Sequence, residues 1–338
     1  MSIYVLGIES SCDETSAAVV KGGREVLSNV IYSQIDIHKK YGGVVPEIAS
    51  RDHTAKIAGV VSEALENANM SINDVSVVTA TCGPGLVGAL LVGLSFGKAL
   101  AFSANKPFVG VHHIEGHLSS VYLESEMKPP FVCLVASGGH TNLIYVSDFG
   151  KYEILGRTRD DAAGEAFDKI ARAIGLPYPG GAEIERLAKT GDANAIPLPR
   201  AIKAGLDFSF SGLKSAALNF MNKQKMNGES FKNEDMAAAL QFSITETLTE
   251  KAISACKLKK CGRLAFSGGV ASNETIRARL AEVCALNGIE FYAPERKYCT
   301  DNAAMIASCG YFSYINGKTS GLDLNANPNL PISEAVNV

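Results

Sequence analysis

No two of the eight cysteines are spaced Cys-x-x-Cys; they stand at 12, 82, 133, 256, 261, 284, 299 and 309, mostly in apolar segments, so reduced core thiols are expected. There is no long basic tract and the net charge is −3, so any nucleic acid would have to be attracted by local patches or by partner proteins. The most apolar run, 86–104, is interrupted by Gly88, Gly93, Gly97, Ser95, Ser103 and Lys98, which argues for a buried helix rather than a membrane span. Met1-Ser2-Ile3-Tyr4-Val5 has neither a basic start nor a long apolar stretch, so no secretory signal and no membrane partner are expected, and the location is expected to be cytoplasmic. Neither GxxxxGK[ST] nor a GxGxxG after the first strand is present, which excludes the P-loop and the dinucleotide fingerprint.

A chain of 338 residues with 46% hydrophobic and 20% charged residues exceeds one typical core, and two domains or a duplicated unit follow. The pattern supports duplication. Apolar 3–8, the polar loop Glu9-Ser10-Ser11-Cys12-Asp13-Glu14-Thr15, apolar 16–20 and then 25–31 read as strand, loop, strand, strand. The same order returns at 131–136, Ser137-Gly138-Gly139-His140-Thr141, 142–146 and 152–156. Helical and strand-like stretches alternate after each: 46–68 opening on Pro46, 75–81 and 86–104 in the first half; 163–174, 236–256, 263–267, 270–286 and 290–292 in the second. Two α/β units with mixed sheets are expected, lobes 1–115 and 116–301, with the change of domain placed near 110–130, where Lys128-Pro129-Pro130 breaks the pattern, and a helix in 302–330 returning to the first lobe.

Three small-residue loops are candidates for a phosphate: Cys82-Gly83-Pro84-Gly85, Ser137-Gly138-Gly139-His140 and Ser267-Gly268-Gly269-Val270. Glycines between a strand and a helix let backbone N–H groups approach an anion, although each alone is more often a structural turn. Three in two repeated halves suggest a nucleotide held in an interdomain cleft. Glu165 and Asp168 share a helix face and Gly180-Gly181 would admit a flat ring, whereas Asp160 and Asp161 read as an acidic helix start favoured by the dipole.

Three of the six histidines fall in His112-His113-Ile114-Glu115-Gly116-His117. On a helix His113 and His117 stand one turn apart, a spacing that can share a metal, or can simply pack. With a distant carboxylate such as Asp301 they would form a mixed N/O site with open positions. A metalloprotease needs HExxH, but Glu115 lies two positions after His113, about 200° round a helix. A metabolite kinase of related fold would hold Mg²⁺ through oxygens, which paired imidazoles oppose. A non-catalytic scaffold would not need both histidines and Asp301.

Together Gly7-Ile8-Glu9-Ser10-Ser11-Cys12-Asp13-Glu14-Thr15, Tyr41-Gly42-Gly43-Val44-Val45-Pro46-Glu47, His113-Ile114-Glu115-Gly116-His117, Ala136-Ser137-Gly138-Gly139-His140-Thr141, Phe208-Ser209-Phe210-Ser211-Gly212-Leu213-Lys214 and Ser267-Gly268-Gly269-Val270 resemble the TsaD (Gcp/YgjD) family, over nearly the whole chain. The resemblance implies two duplicated ribonuclease-H-like lobes of the actin/Hsp70/sugar-kinase fold. It also implies transfer of threonylcarbamoyl from threonylcarbamoyl-adenylate to N6 of adenosine 37 in tRNAs reading codons that begin with A. The HHxEGH form looks bacterial, which implies the degenerate paralogue TsaB and the ATPase TsaE as partners.

Carried over by position, His113, His117 and Asp301 would bind one divalent metal, Fe²⁺ or Zn²⁺, with no organic cofactor. Ser137, Gly138, Gly139, His140, Asp168, Gly181, Glu185 and Asn273 would bind the substrate nucleotide; Glu185 stands where some members carry aspartate and Ala182 where many carry proline. Glu9, Asp13 and Glu14, beside the first turn, are the candidate catalytic carboxylates. Lys39, Lys40, Arg51, Lys223, Lys225, Lys257, Lys259 and Lys260 are scattered and read as solvated, so weak, salt-sensitive tRNA binding by the isolated chain is expected.

Overall fold

The same strand order is built twice. The computed structural model describes residues 2–200 and 205–332. The first half runs β1 (Tyr4–Glu9), β2 (Glu14–Lys21), β3 (Glu25–Ser33), α1 (Ile35–His38), α2 (Pro46–Asn67), β4 (Val77–Gly83), α3 (Val87–Ser103), β5 (Phe108–His112) and α4 (His113–Ser119). Then come β6 (Phe131–Ala136), β7 (Thr141–Asp148), β8 (Lys151–Arg157), α5 (Ala163–Ala173), α6 (Gly180–Ala188), α7 (Ser211–Asn227) and α8 (Asn233–Lys259). The chain closes with β9 (Arg263–Ser267), α9 (Glu274–Leu286), β10 (Glu290–Tyr292) and α10 (Ala303–Ile315). The sheets are ordered β3-β2-β1-β4-β5 and β8-β7-β6-β9-β10, each with a meander on one side and two parallel crossover strands on the other.

The first division of the two compact units falls between Pro129 and Pro130, at the proline break expected within 110–130, rather than at the finer bound of 115/116, and the chain returns to the first unit at Pro294 rather than at 302. The first holds the residues up to Pro129, Asp148–Tyr152 and Pro294 onward; the second holds Pro130–Ser147 and Glu153–Ala293. Packing explains the difference. Leu123 and Tyr298 join the core that α10 builds, and Phe149 stacks on Phe312 with ring centroids 4.3 Å apart. Of the segment 302–330, α10 covers Ala303–Ile315 and packs on the first sheet, against β1 and β2.

In the first unit, β1 and β4 read as near-continuous apolar runs because both faces of the sheet are covered. Leu6, Ile8 and Val19 face Ile57, Val61 and Leu94 of α2 and α3, while Val5, Val20 and Val77 face Ala303, Met305 and Ile306 of α10. Period-two alternation assigns each residue to a face. Gly7 lies where α10 comes closest: a Cβ there would run into the Ala303 carbonyl and the Ala307 backbone. Parallel pairing of β1, β4 and β5 puts their C-terminal residues at one edge, where open α/β sheets carry their sites.

Candidate functional site

Helix α4 begins directly after β5, so His113 and His117 project from that C-terminal edge. Their rings meet edge to face, centroids 4.7 Å apart, and both are buried. Asp301 arrives from the far end of the chain, in the turn before α10. Asn302 pins that turn: its side chain accepts from Met305 N at 3.1 Å and donates to the carbonyls of Tyr298 and Thr300 at 3.2 and 2.8 Å. Gly116 lets α4 settle on α10, since a Cβ there would come within 2.7 Å of Ile306 Cδ1.

Asp301 Oδ1 lies 3.2 Å from His117 Nε2 and 3.6 Å from His113 Nε2, and one ligand atom from each of the three residues falls within 4.8 Å of the others. Two ligands about 2.1 Å from one tetrahedral ion would be about 3.4 Å apart, so the two distances from Asp301 fit a shared cation. His117 strengthens the fit. It is 0% exposed, yet neither ring nitrogen makes a hydrogen bond, because Asp301 is near Nε2 without being aligned to accept from it. An unsatisfied buried imidazole is costly unless something else engages it. The Asp301 side chain is 20% exposed and marks the open side of the cluster.

Electrostatics points the same way. Burial opposes charge on His113, but Asp301 and Glu9 outweigh it and raise the imidazole to about 9. The two carboxylates thus favour positive charge at this point, which a divalent ion would supply. Glu9 is pushed up by burial but pulled below the usual carboxylate range by His113. Burial, Asp13 and Asp301 push Glu14 well above it.

Of the three carboxylates expected near the first turn, Asp13 is buried and Glu14 half-buried at the start of β2, where Glu14 accepts from Ser33 Oγ at 3.2 Å. Glu9 does not open toward a substrate: it is 0% exposed, with both oxygens engaged by the protein. His53 of α2 holds this turn through the Cys12 carbonyl, 3.0 Å from Nε2, and Thr15 Oγ1, 2.7 Å from Nδ1. Glu115 faces away from the histidine pair, accepting from Cys309 Sγ at 3.7 Å, so no zincin-like glutamate serves this centre.

In the second unit Ser137, Gly138, Gly139 and His140 form the turn between β6 and β7, closed by Ser137 N donating to His140 O at 2.8 Å. Gly164 at the start of α5 packs on it, where a Cβ would meet Ser137 O at 2.6 Å. A Cβ built on Gly138, Gly139 or Gly181 meets nothing within 4 Å, so those glycines leave room. Asp168 fastens α5 to α6 by accepting from Gly180 N at 2.7 Å. Glu185 accepts from Glu274 N at 2.7 Å and Thr275 N at 3.3 Å, at the positive end of α9, and lines a cavity of about 570 Å³. Asn273 caps α9 through Ile276 N at 3.0 Å and exchanges amide bonds with Gln241 at 2.9 and 3.3 Å.

Asp160 differs from expectation. It serves the start of α7 rather than α5, accepting from Phe210 N at 2.8 Å, Ser211 N at 3.1 Å and the hydroxyls of Ser209 and Ser211 at 2.5 and 2.6 Å. Asp161 pairs with Lys169 and Lys214, at 2.9 and 2.7 Å. The Phe208–Lys214 motif is thereby explained structurally, through partners that spacing along the chain does not disclose.

Among solved structures the chain resembles HypF of T. kodakarensis, with a TM-score of 0.63 and 14% identity over 93% of this chain and 48% of that one. It also resembles (R)-2-hydroxyglutaryl-CoA dehydratase component A of Acidaminococcus fermentans, with a TM-score of 0.54 and 18% identity over 94% and 100%. These likenesses show the fold, two ribonuclease-H-like units of the actin/Hsp70/sugar-kinase class. Among the described residues no helix is long and apolar enough to cross a membrane.

In sequence, the chain is 56% identical over 336 residues to the tRNA N6-adenosine threonylcarbamoyltransferase of Clostridium botulinum (strain Kyoto / Type A2), covering 98% of this chain and 99% of the relative. It is 56% identical over 335 residues to the enzyme of that name in Clostridioides difficile (strain 630), with the same coverage. The sequence model of the family described as "TsaD: tRNA N6-adenosine threonylcarbamoyltransferase" matches residues 25–308. The chain belongs to the tRNA N6-adenosine threonylcarbamoyltransferase family, transferases of threonylcarbamoyladenosine (t6A) biosynthesis.

Proposed function

We propose that the protein moves the threonylcarbamoyl group of threonylcarbamoyl-adenylate onto N6 of adenosine 37, in the anticodon loop of tRNAs that read codons beginning with A. The observation that carries this reading is the convergence of His113, His117 and Asp301 on one point. Two imidazoles and a carboxylate suit Fe²⁺ or Zn²⁺ better than Mg²⁺, and the proposal needs no organic cofactor. When bound, such an ion supplies Lewis-acid polarisation of a carbonyl or phosphoryl oxygen.

The remaining work falls to the chain's own groups. The N6 nitrogen bonds to the carbamoyl carbon, the bond from that carbon to the phosphate oxygen breaks, and AMP leaves. The donor is already activated and the adenine amine is a poor nucleophile, so alignment of the two matters more than base strength. Asp13 and Glu14 are the carboxylates proposed to take the proton that the amine sheds, since Glu9 is occupied within the protein. In the second unit, Ser137, Gly138, Gly139, His140, Asp168, Gly181, Glu185 and Asn273 are proposed to bind the adenylate; the room beside Gly138, Gly139 and Gly181 and the helix start at Asn273 support this.

The proposed setting is the cytoplasm, with the degenerate paralogue TsaB and the ATPase TsaE as partners. The test is reconstitution with threonine, bicarbonate, ATP, the separate synthase, both partners and unmodified tRNA, followed by nucleoside mass spectrometry. Formation of threonylcarbamoyladenosine is expected. Its absence with every divalent metal tried would reject the reading.

A further inference from the structure

We infer that Glu9 is a positioning residue of the metal centre, fixing His113 with its proton on Nδ1 and its Nε2 lone pair turned toward the ion. The inference rests on the proposal that His113, His117 and Asp301 hold a divalent cation. Glu9 ends β1 and is anchored from two directions. Its Oε1 accepts from Ser11 N at 2.5 Å in the following turn, and its Oε2 accepts from Thr81 Oγ1 at 2.6 Å on the neighbouring β4. The same Oε2 lies 3.3 Å from His113 Nδ1, with Ser11 Oγ 3.2 Å from that nitrogen.

A carboxylate only accepts, so the nitrogen facing it has to donate. With the proton held on Nδ1, Nε2 is left to ligate, on the side where Asp301 stands. His117 has no such brace, since neither of its nitrogens has a hydrogen-bonding partner. The centre therefore pairs one imidazole oriented by a carboxylate with one oriented by packing alone. A general base has to reach the proton it removes, and a 0% exposed carboxylate already held by Ser11 and Thr81 is badly placed for that. Carboxylates behind metal-bound histidines typically contribute 10–100-fold in metal affinity or activity.

Three proteins, wild type, Glu9→Gln and Thr81→Val, are compared as full-length chains by Zn²⁺ competition against a chromogenic chelator and by the visible spectrum of the Co²⁺ form. Threonylcarbamoyladenosine formation is then measured at limiting and at saturating metal. Glu9→Gln is expected to weaken Zn²⁺ binding roughly 10–100-fold, shift the Co²⁺ bands and recover most of its rate at saturating metal. Thr81→Val removes one anchor and is expected to move the same readouts less, which keeps the inference testable if Glu9→Gln does not fold. Unchanged affinity and spectrum in the folded variants would overturn the positioning role, and loss of transfer alongside would make Glu9 a chemical participant. Failure of the wild type to take up Zn²⁺ or Co²⁺ would instead refute the metal reading itself.

Discussion

His117 Nε2 lies 3.2 Å from Asp301 Oδ1 without forming a hydrogen bond, so a buried imidazole and a carboxylate face one another with neither satisfying the nitrogen. If a cation belongs between them, Asp301→Asn should cost metal affinity, because a neutral amide oxygen is the weaker ligand. A marked loss of Zn²⁺ affinity is the expected outcome of chelator titration. If the pair were only structural, Zn²⁺ affinity would not move.

The contact between β1 and α10 makes a graded prediction about stability. At Gly7 a methyl group would meet the backbone of Ala303 and Ala307, whereas at Gly116 it would meet the end of the Ile306 side chain. Backbone cannot step aside as a side chain can, so Gly7→Ala should destabilise by roughly 1–3 kcal/mol and Gly116→Ala by less. Urea unfolding of the two variants compares them directly, and a reversed order would contradict the packing described.

Acid sensitivity is expected at the start of α7. Burial works against the Asp160 charge, but bonds from Ser209, Ser211 and two backbone N–H groups hold its carboxyl at about 2. A depressed folded-state pKa stabilises above the unfolded value, near 3.9, and that contribution is lost as pH falls toward 2. Asp160→Ala should therefore cost about 0.5–2 kcal/mol at neutral pH, as loss of a helix cap does, and the gap to wild type should close between about pH 4 and pH 2. Denaturant midpoints across that range provide the check, with a pH-independent gap as the contrary result.

Gln241 and Asn273 bind one another amide to amide while Asn273 caps α9. Gln241→Leu should leave Asn273 at the helix start but loosen its side chain, raising KM for threonylcarbamoyl-adenylate several-fold with a smaller change in kcat. A kcat loss at constant KM would place Gln241 in the chemistry instead.

What was legible in the sequence was mostly local. Alternation and small-residue loops predicted the duplicated α/β units, and the i,i+4 spacing of His113 and His117 predicted a shared face because a helix has a fixed pitch. Asp301 was a candidate for the distant carboxylate from the start, but the family resemblance was needed to assign it as a ligand, since spacing alone does not pair residues so far apart. Glu9 was grouped with Asp13 and Glu14 as an acid beside a turn, but β4 lies next to β1 in the sheet with β5 beyond it, and Thr81 and His113 enclose its carboxylate. Asp160 misled for a similar reason, because its donors lie fifty residues on. The finer bound at residue 115 cut through α4, whose Gly116 settles on Met305 and Ile306 of α10, a contact between distant segments that no local pattern discloses.

Metal stoichiometry and X-ray absorption on the purified protein, beside a His113→Ala/His117→Ala double variant assayed for threonylcarbamoyladenosine, test the central claim most directly. One divalent ion per chain with imidazole nitrogens among its ligands is predicted, both the ion and the transfer being lost in the variant. A variant that keeps its metal and still modifies tRNA would contradict the account.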